Sequence, residues 1–169
     1  MKRVLAALAI VLAPTLATAM DVASASIQNG VLDEINACED LGGEDVSPQI
    51  SISNPPQGTT HFSIVFDDPD AKALDGKTWV HWNVVNIKAS NTDFKAGKTP
   101  PGVVLENDNE DDAYGGMCPT DGRHTYRLTV FALKSPIDED GPSALTVESF
   151  LDEYEDQVLA VGQVKGAFP

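Results

Sequence analysis

His61-Phe62-Ser63-Ile64-Val65-Phe66-Asp67-Asp68-Pro69-Asp70-Ala71, followed by Trp79-Val80-His81-Trp82-Asn83-Val84-Val85-Asn86-Ile87, is the stretch that decides the fold. Phe62, Ile64 and Phe66 recur at every second residue. That period belongs to a strand, because a helix would bring apolar residues round every three to four. The second run is dense in β-branched and aromatic residues, which suit a pleated, half-buried surface. Asp67 to Gly76 lies between them and is rich in turn formers, so the pair reads as two strands joined by a turn.

The same grammar extends in both directions. Gln49 to Ser53 alternates, with Ile50 and Ile52 on one face, and Pro55-Pro56-Gln57-Gly58 then forces a turn. Ala89 to Gly102 is loop-like, Glu106 to Asp112 is an acidic run, and His124 to Leu133 is a long strand. Asp138 to Pro142 is another turn. One helix follows, with Thr146 as N-cap and Leu145 and Phe150 placed as a hydrophobic staple. Val147, Phe150, Leu151, Tyr154 and Val158 fall on its apolar face, and Gly162 is its expected stop. Val164 to Phe168 then returns as a strand or a docked end. Strands punctuated by Gly and Pro, with one late helix, predict a mainly β protein: an antiparallel β-sandwich with a peripheral C-terminal helix.

The first residues read as an export leader. Lys2 and Arg3 precede an apolar run from Val4 to Leu16, and Ala17-Thr18-Ala19 is an A-x-A cleavage pattern. The run falls short of the roughly 20 apolar residues of a membrane span. Cleavage would start the mature chain at Met20, with no Cys there to carry a lipid, and 20–169 is the size of one domain. The expected location is the periplasm of a Gram-negative cell, or otherwise the outside of the cell. No later segment is apolar enough to serve as a transmembrane anchor.

With 26 acidic against 11 basic residues, the chain carries a formal charge of −15. Such a surface repels phosphate backbones and anionic lipid, which argues against nucleic acid and bulk membrane as partners. A single small anion is still compatible, because a pocket can oppose the global field with aimed N–H groups and protonated His. The two cysteines, Cys38 and Cys118, form an even pair in an oxidising compartment and read as one disulfide. Two buried free thiols are the alternative.

Strand alternation also gathers chemistry. Trp79, His81, Asn83 and Val85 share one face of their strand, and Val80, Trp82 and Val84 the other. On the later strand His124, Tyr126, Leu128 and Val130 share a face. Each ring pair sits near a strand start beside a turn, and Asp68-Pro69-Asp70 can bring a carboxylate to the same end. Taken singly, the histidines read as hydrogen-bonded structural residues, Trp79 and Tyr126 as core rings, the Asp residues as turn caps, and Gly115 and Gly116 as turn glycines. Their convergence is what makes a pocket.

Asp68-Pro69-Asp70-Ala71, Trp79-Val80-His81-Trp82, Tyr114-Gly115-Gly116-Met117-Cys118-Pro119 and His124-Thr125-Tyr126, in that order, resemble the phosphatidylethanolamine-binding protein family, and most nearly its bacterial Raf-kinase-inhibitor-like branch. The likeness extends upstream through Cys38 to Pro48 and downstream through Gln157 to Gly166. It implies a β-sandwich with an anion-accepting pocket for phosphoryl and phosphoethanolamine-like groups, in a family some of whose members inhibit kinases or proteases. The resemblance places Asp68, Asp70, Trp79, His81, Gly116, Pro119, His124 and Tyr126 at the ligand site. Lys72, Met117 and Thr125 depart from the family pattern and put ligand preference in question.

Chemically, His81 and His124 supply N–H donors that can become cationic, Tyr126 a phenol, and the Gly115-Gly116 backbone a nest for oxygens. Asp68 is expected to orient a His tautomer or accept from an ammonium group. The expected role is binding without catalysis and without a cofactor. The expected partners are a small phosphoryl or other anionic ligand and a protein such as a protease or signalling protein, with a second copy of the chain as a further candidate. A hydrolase using Asp, His and Tyr is the alternative, but there is no G-x-S-x-G elbow to supply a nucleophile. Asp68, His81 and His124 could imitate a metal triad, without supporting spacing. Residues 107–112 lack EF-hand spacing for Ca²⁺ and read as a solvated acidic loop.

Overall fold

The computed structural model describes residues 20–169, and the expected leader, 1–19, lies outside the described residues. In chain order the elements are β1 (Asp21–Ala23), β2 (Ile27–Gln28), β3 (Val31–Leu32), β4 (Ile50–Ser53), β5 (His61–Asp68), α1 (Lys72–Asp75), β6 (Trp79–Lys88), β7 (Asp93–Phe94), β8 (Val103–Leu105), β9 (His124–Leu133), α2 (Val147–Tyr154) and β10 (Val158–Phe168). One sheet runs β1-β4-β7 and the other β2-β3-β10-β9-β5-β6-β8. Pairing is antiparallel except for β3 against β10.

The alternation read from β5 has its physical cause in these two layers. Phe62, Ile64 and Phe66 face the small sheet, where they cluster with Ile50 and Ile52 of β4, Phe94 of β7 and Leu128 and Val130 of β9. Val65 takes the opposite face, with Phe131 and Leu133 of β9, and α2 covers them with Val147, Phe150 and Tyr154. The Phe131 and Phe150 rings stack with centroids 4.0 Å apart. Burying each such aliphatic or aromatic side chain contributes roughly 1.5–3 kcal/mol. The chain is therefore mainly β, a two-sheet sandwich with a short helix on the outer face of the large sheet.

Helix α2 starts as its sequence requires. The Thr146 side chain accepts from the Ser149 N–H at 3.1 Å, and the Ser149 hydroxyl accepts from the Thr146 N–H at 2.9 Å. Leu145 and Phe150 both enter the outer cluster, as the staple demands. A buried ion pair fixes the helix to the sheet. Asp67 accepts from Arg127 Nε at 2.8 Å and Nη2 at 2.6 Å, and from the Val147 N–H at 3.1 Å. Arg127 Nη1 also reaches Glu148 at 2.6 Å. Burial pushes the Asp67 carboxyl up from its ordinary value, against the pull of Arg127.

The helix is shorter than its periodicity suggests. It ends at Tyr154, and Val158, expected on its apolar face, instead opens β10. That strand pairs with β9 from Val158↔Leu133 to Phe168↔His124. A ladder of that length outweighs one more helical turn, and Gly162 lies inside it rather than stopping the helix. The helix is peripheral, but the last element is a strand.

Candidate functional site

Three strand ends build the site. β5 lies between β6 and β9, with Asp68 opposite Trp79 on one side and Asp67 opposite Arg127 on the other. The start of β6, the end of β5 and the start of β9 are therefore neighbours. The loop 114–120 closes over them. It is held by the Cys38–Cys118 disulfide and by a parallel bridge between Ala37 and Met117. The cavity between them is half open to solvent and has a volume of about 410 Å³.

Of the residues singled out in the sequence, Asp68, Trp79, His81, Gly116, Pro119, His124 and Tyr126 line this cavity. Asp70 does not. Its Oδ2 accepts from the Thr125 N–H at 2.8 Å, so it ties the β5 turn to β9 outside the cavity. Asp45, Ala71, Asn109 and Thr120 also line the cavity and were not identified from sequence. They come from loops whose approach no local pattern announces.

Strict alternation along β6 fails at two positions, once opposite Phe62–Ile64 and once opposite Phe66–Asp67, and the second shapes the site. Phe66 pairs with Trp82 but Asp67 pairs with Val80, so β6 carries a bulge there. The His81 ring lies 5.8 Å from Phe66 and 5.4 Å from Tyr126, centroid to centroid. Trp82 packs in the same cluster as both of those rings. His81 and Trp82 therefore share a side, whereas Asn83 and Val85, expected beside His81, face the helix.

The two histidines differ in state. His81 Nδ1–H donates to the Gly115 carbonyl at 3.0 Å, which leaves Nε2 as the acceptor of a neutral ring. Burial holds its pKa below the ordinary 6.5, against the opposing pull of that carbonyl and of Asp68. His124 is clamped between carboxylates, with Nδ1–H to Asp68 Oδ2 and Nε2–H to Asp121 Oδ1, both at 2.6 Å. Burial works to lower its pKa, but the bonds to Asp68 and Asp121 prevail and raise it above 6.5. Asp68 is itself fixed, since its Oδ1 accepts from the N–H groups of Asp70 at 2.9 Å and Ala71 at 3.2 Å.

Tyr126 is 1% exposed, and its hydroxyl lies close to Asp68 but makes no well-formed hydrogen bond among the described residues. Burial, reinforced by Asp68, drives its pKa up, so the phenol keeps its proton. It is thus a fixed donor. The Gly-rich loop is not the anion nest expected from sequence. The Gly115 N–H donates to the His81 carbonyl at 3.0 Å, Gly116 to Asp45 Oδ1 at 2.8 Å, and Met117 to the Asn36 carbonyl at 3.3 Å. These donors serve the wall and not a ligand. Asp45 reaches Gly116 from a left-handed backbone at φ 51°.

The acidic loop is likewise structural. Asn107 Oδ1 accepts from the N–H groups of Asn109 at 2.8 Å and Asp111 at 3.2 Å, and Asp108 Oδ2 accepts from the Val80 N–H at 2.6 Å. The loop therefore pins the start of β6. Among the described residues no group of three or more His, Cys, Asp or Glu is placed to hold a metal ion. Lys72 and Thr125 are exposed and off the cavity, and Met117 is buried in the core.

Comparison with known proteins agrees with this architecture. The family model described as phosphatidylethanolamine-binding protein matches residues 23–169. The chain belongs to the phosphatidylethanolamine-binding protein family. Among its relatives is a UPF0098 protein of Methanothermobacter thermautotrophicus, 33% identical over 133 residues, which are 75% of this chain and 84% of that protein. The UPF0098 protein YbcL of Escherichia coli is 39% identical over 116 residues, 61% of this chain and 62% of YbcL. The crystal structure of Escherichia coli YbcL, described as a new member of the mammalian family, superposes with a TM-score of 0.73 at 28% identity, covering 89% of this chain and 98% of YbcL. A homologue from Chlamydia trachomatis shares the fold, with a TM-score of 0.76 at 23% identity over 89% of this chain and 97% of its own.

Proposed function

We propose that this chain is an extracytoplasmic binding protein whose cavity takes a small phosphoryl or phosphoethanolamine-like head group, without catalysing its turnover. The observation that carries this reading is the Tyr126 hydroxyl, a buried donor without a well-formed hydrogen bond, in a cavity of about 410 Å³. Leaving such a group unpaired costs roughly 1–3 kcal/mol, which a ligand oxygen would recover. His81 Nε2 is the second contact. It accepts from a protonated phosphoryl oxygen when neutral, and donates once the ring is charged. Trp79 forms the apolar wall, and Lys77 Nζ stands 5.2 Å over its ring. The volume is within the range of about 300–1,000 Å³ usual for small-molecule sites. Export is supported by the leader pattern and by the disulfide, which persists in oxidising compartments.

Hydrolysis has less support. Cys118 is held in the disulfide, and both His124 nitrogens are committed to carboxylates, so neither supplies an activated nucleophile or a free base. A phosphorylated or acidic segment of a protein partner would use the same contacts as a free head group. Titration calorimetry with phosphoethanolamine and inorganic phosphate tests the proposal. Tyr126→Phe is expected to weaken binding about tenfold, and His81→Ala at least as much, following the usual worth of a buried hydrogen bond. Equal affinity in wild type and both variants would overturn it.

A further inference from the structure

Two carboxylates hold the His124 ring, and they are not equivalent. Asp68 is buried and its second oxygen is tied by two backbone N–H groups. The Asp121 side chain is 38% exposed, and His124 is its one hydrogen-bond partner among the described residues. Asp121 sits in the exposed turn 120–123, between the disulfide-tethered Cys118 and the first residue of β9. Asp68 is therefore part of the frame, while Asp121 can rotate away into solvent.

Asp121 Oδ1 lies 2.6 Å from Nε2. An anionic oxygen on an imidazolium N–H is the arrangement a phosphoryl oxygen would itself adopt. We propose that Asp121 is a specificity-determining residue, a built-in competitor that a ligand must displace from His124 before that ring can donate to it. This rests on the head-group reading of the cavity and deepens it by naming the residue that discriminates among such groups. A simple anion gains the His124 bond only by breaking an equivalent one, and it then sits beside the displaced carboxylate. A zwitterion with an ammonium group turns that same carboxylate into a partner. The site accordingly prefers aminoalkyl phosphates over inorganic phosphate.

The test is calorimetric titration of inorganic phosphate and phosphoethanolamine into wild type, Asp121→Ala, Asp121→Asn and Asp70→Asn. Asp70→Asn removes one nearby charge without freeing Nε2, because Asp70 is bonded to the Thr125 N–H. Expected are a gain of about tenfold in phosphate affinity for Asp121→Ala, a smaller gain for Asp121→Asn, and a narrowed preference for phosphoethanolamine in both. The Asp70→Asn control is expected to stay within about threefold of wild type, as for a screened surface charge. A merely structural Asp121 would lower affinity when removed, so a gain identifies competition. If wild type binds and Asp121→Ala binds phosphate no better, or if Asp70→Asn gains equally, the competitor role is refuted and the head-group reading stands. If no form binds either compound, both fall.

Discussion

The Cys38–Cys118 disulfide is the feature whose loss has the most calculable cost. It closes a loop with a sequence separation of 80 residues. The chain-entropy model gives about 4.5 kcal/mol for a loop of that length at 25 °C. Single domains hold only about 5–15 kcal/mol in all, so Cys38→Ser with Cys118→Ser removes a large share of the stability. With a urea dependence of about 1.5–2 kcal/mol per molar, the denaturation midpoint falls by about 2–3 M. The loss also reaches the site. The bond anchors the loop that donates Gly116 N–H to Asp45, Met117 N–H to the Asn36 carbonyl, and its Tyr114 hydroxyl to that carbonyl at 2.7 Å. Urea melts of oxidised, reduced and double-Ser protein supply the midpoint, and phosphoethanolamine titration of the same samples reports the cavity. A midpoint shift below about 0.5 M would refute the loop-closure reasoning. Full ligand affinity in the double-Ser protein would separate the bond from the site.

Three further outcomes follow from the geometry. Arg127→Met strands Asp67 beneath α2 and should cost about 3–5 kcal/mol by chemical denaturation. Adding Asp67→Asn should return part of that, and a double variant less stable than the single one would contradict the pairing. The two histidines should give opposite pH slopes. His124, with its pKa raised by Asp68 and Asp121, contributes stability that is complete below 6.5 and lost as pH rises through its folded value. His81, with its pKa lowered by burial, contributes stability that is present above 6.5 and lost as pH falls toward its folded value. Urea melts between pH 5 and 8 should show each slope vanish in His124→Gln and His81→Gln respectively, and a slope that survives its own substitution would sink the assignment. Finally, a Cβ on Gly116 would lie 2.3 Å from Asp45 Oδ1 and 2.6 Å from the Cys38 nitrogen, so Gly116→Ala should shift the loop and abolish detectable phosphoethanolamine binding by calorimetry.

The layers of the fold were legible because burial imposes a period. Phe62, Ile64 and Phe66 had to face one way, and so did Leu128 and Val130, since each set is pressed against the same small sheet. The start of α2 was legible for a local reason, the Thr146 cap flanked by Leu145 and Phe150, and the structure adds the reciprocal Ser149 bond. Its end was not. Val158 satisfies both a helical stripe and a strand, and only the long partner β9 decides between them. Short edge strands such as β7 and β8 left no pattern, because a strand of two or three residues has no period to read.

Site residues divide along the same physical line. Trp79, His81, His124 and Tyr126 sit on strands, so alternation could aim them, although the bulge at His81 and Trp82 meant that His81 was aimed correctly while its neighbour Asn83 was not. Asp45 and Asp121 sit on loops in a chain with 26 acidic residues, where one more carboxylate carries no signal. Yet these loop carboxylates decide which donors stay free. Asp45 occupies the Gly116 N–H that sequence reasoning had offered to a ligand, and Asp121 occupies the His124 N–H. In both cases a loop carboxylate takes up a donor before any ligand can reach it. On the proposed role of Asp121, a sequence that keeps every ring but changes residue 121 keeps the fold and the cavity while shifting the preference among head groups.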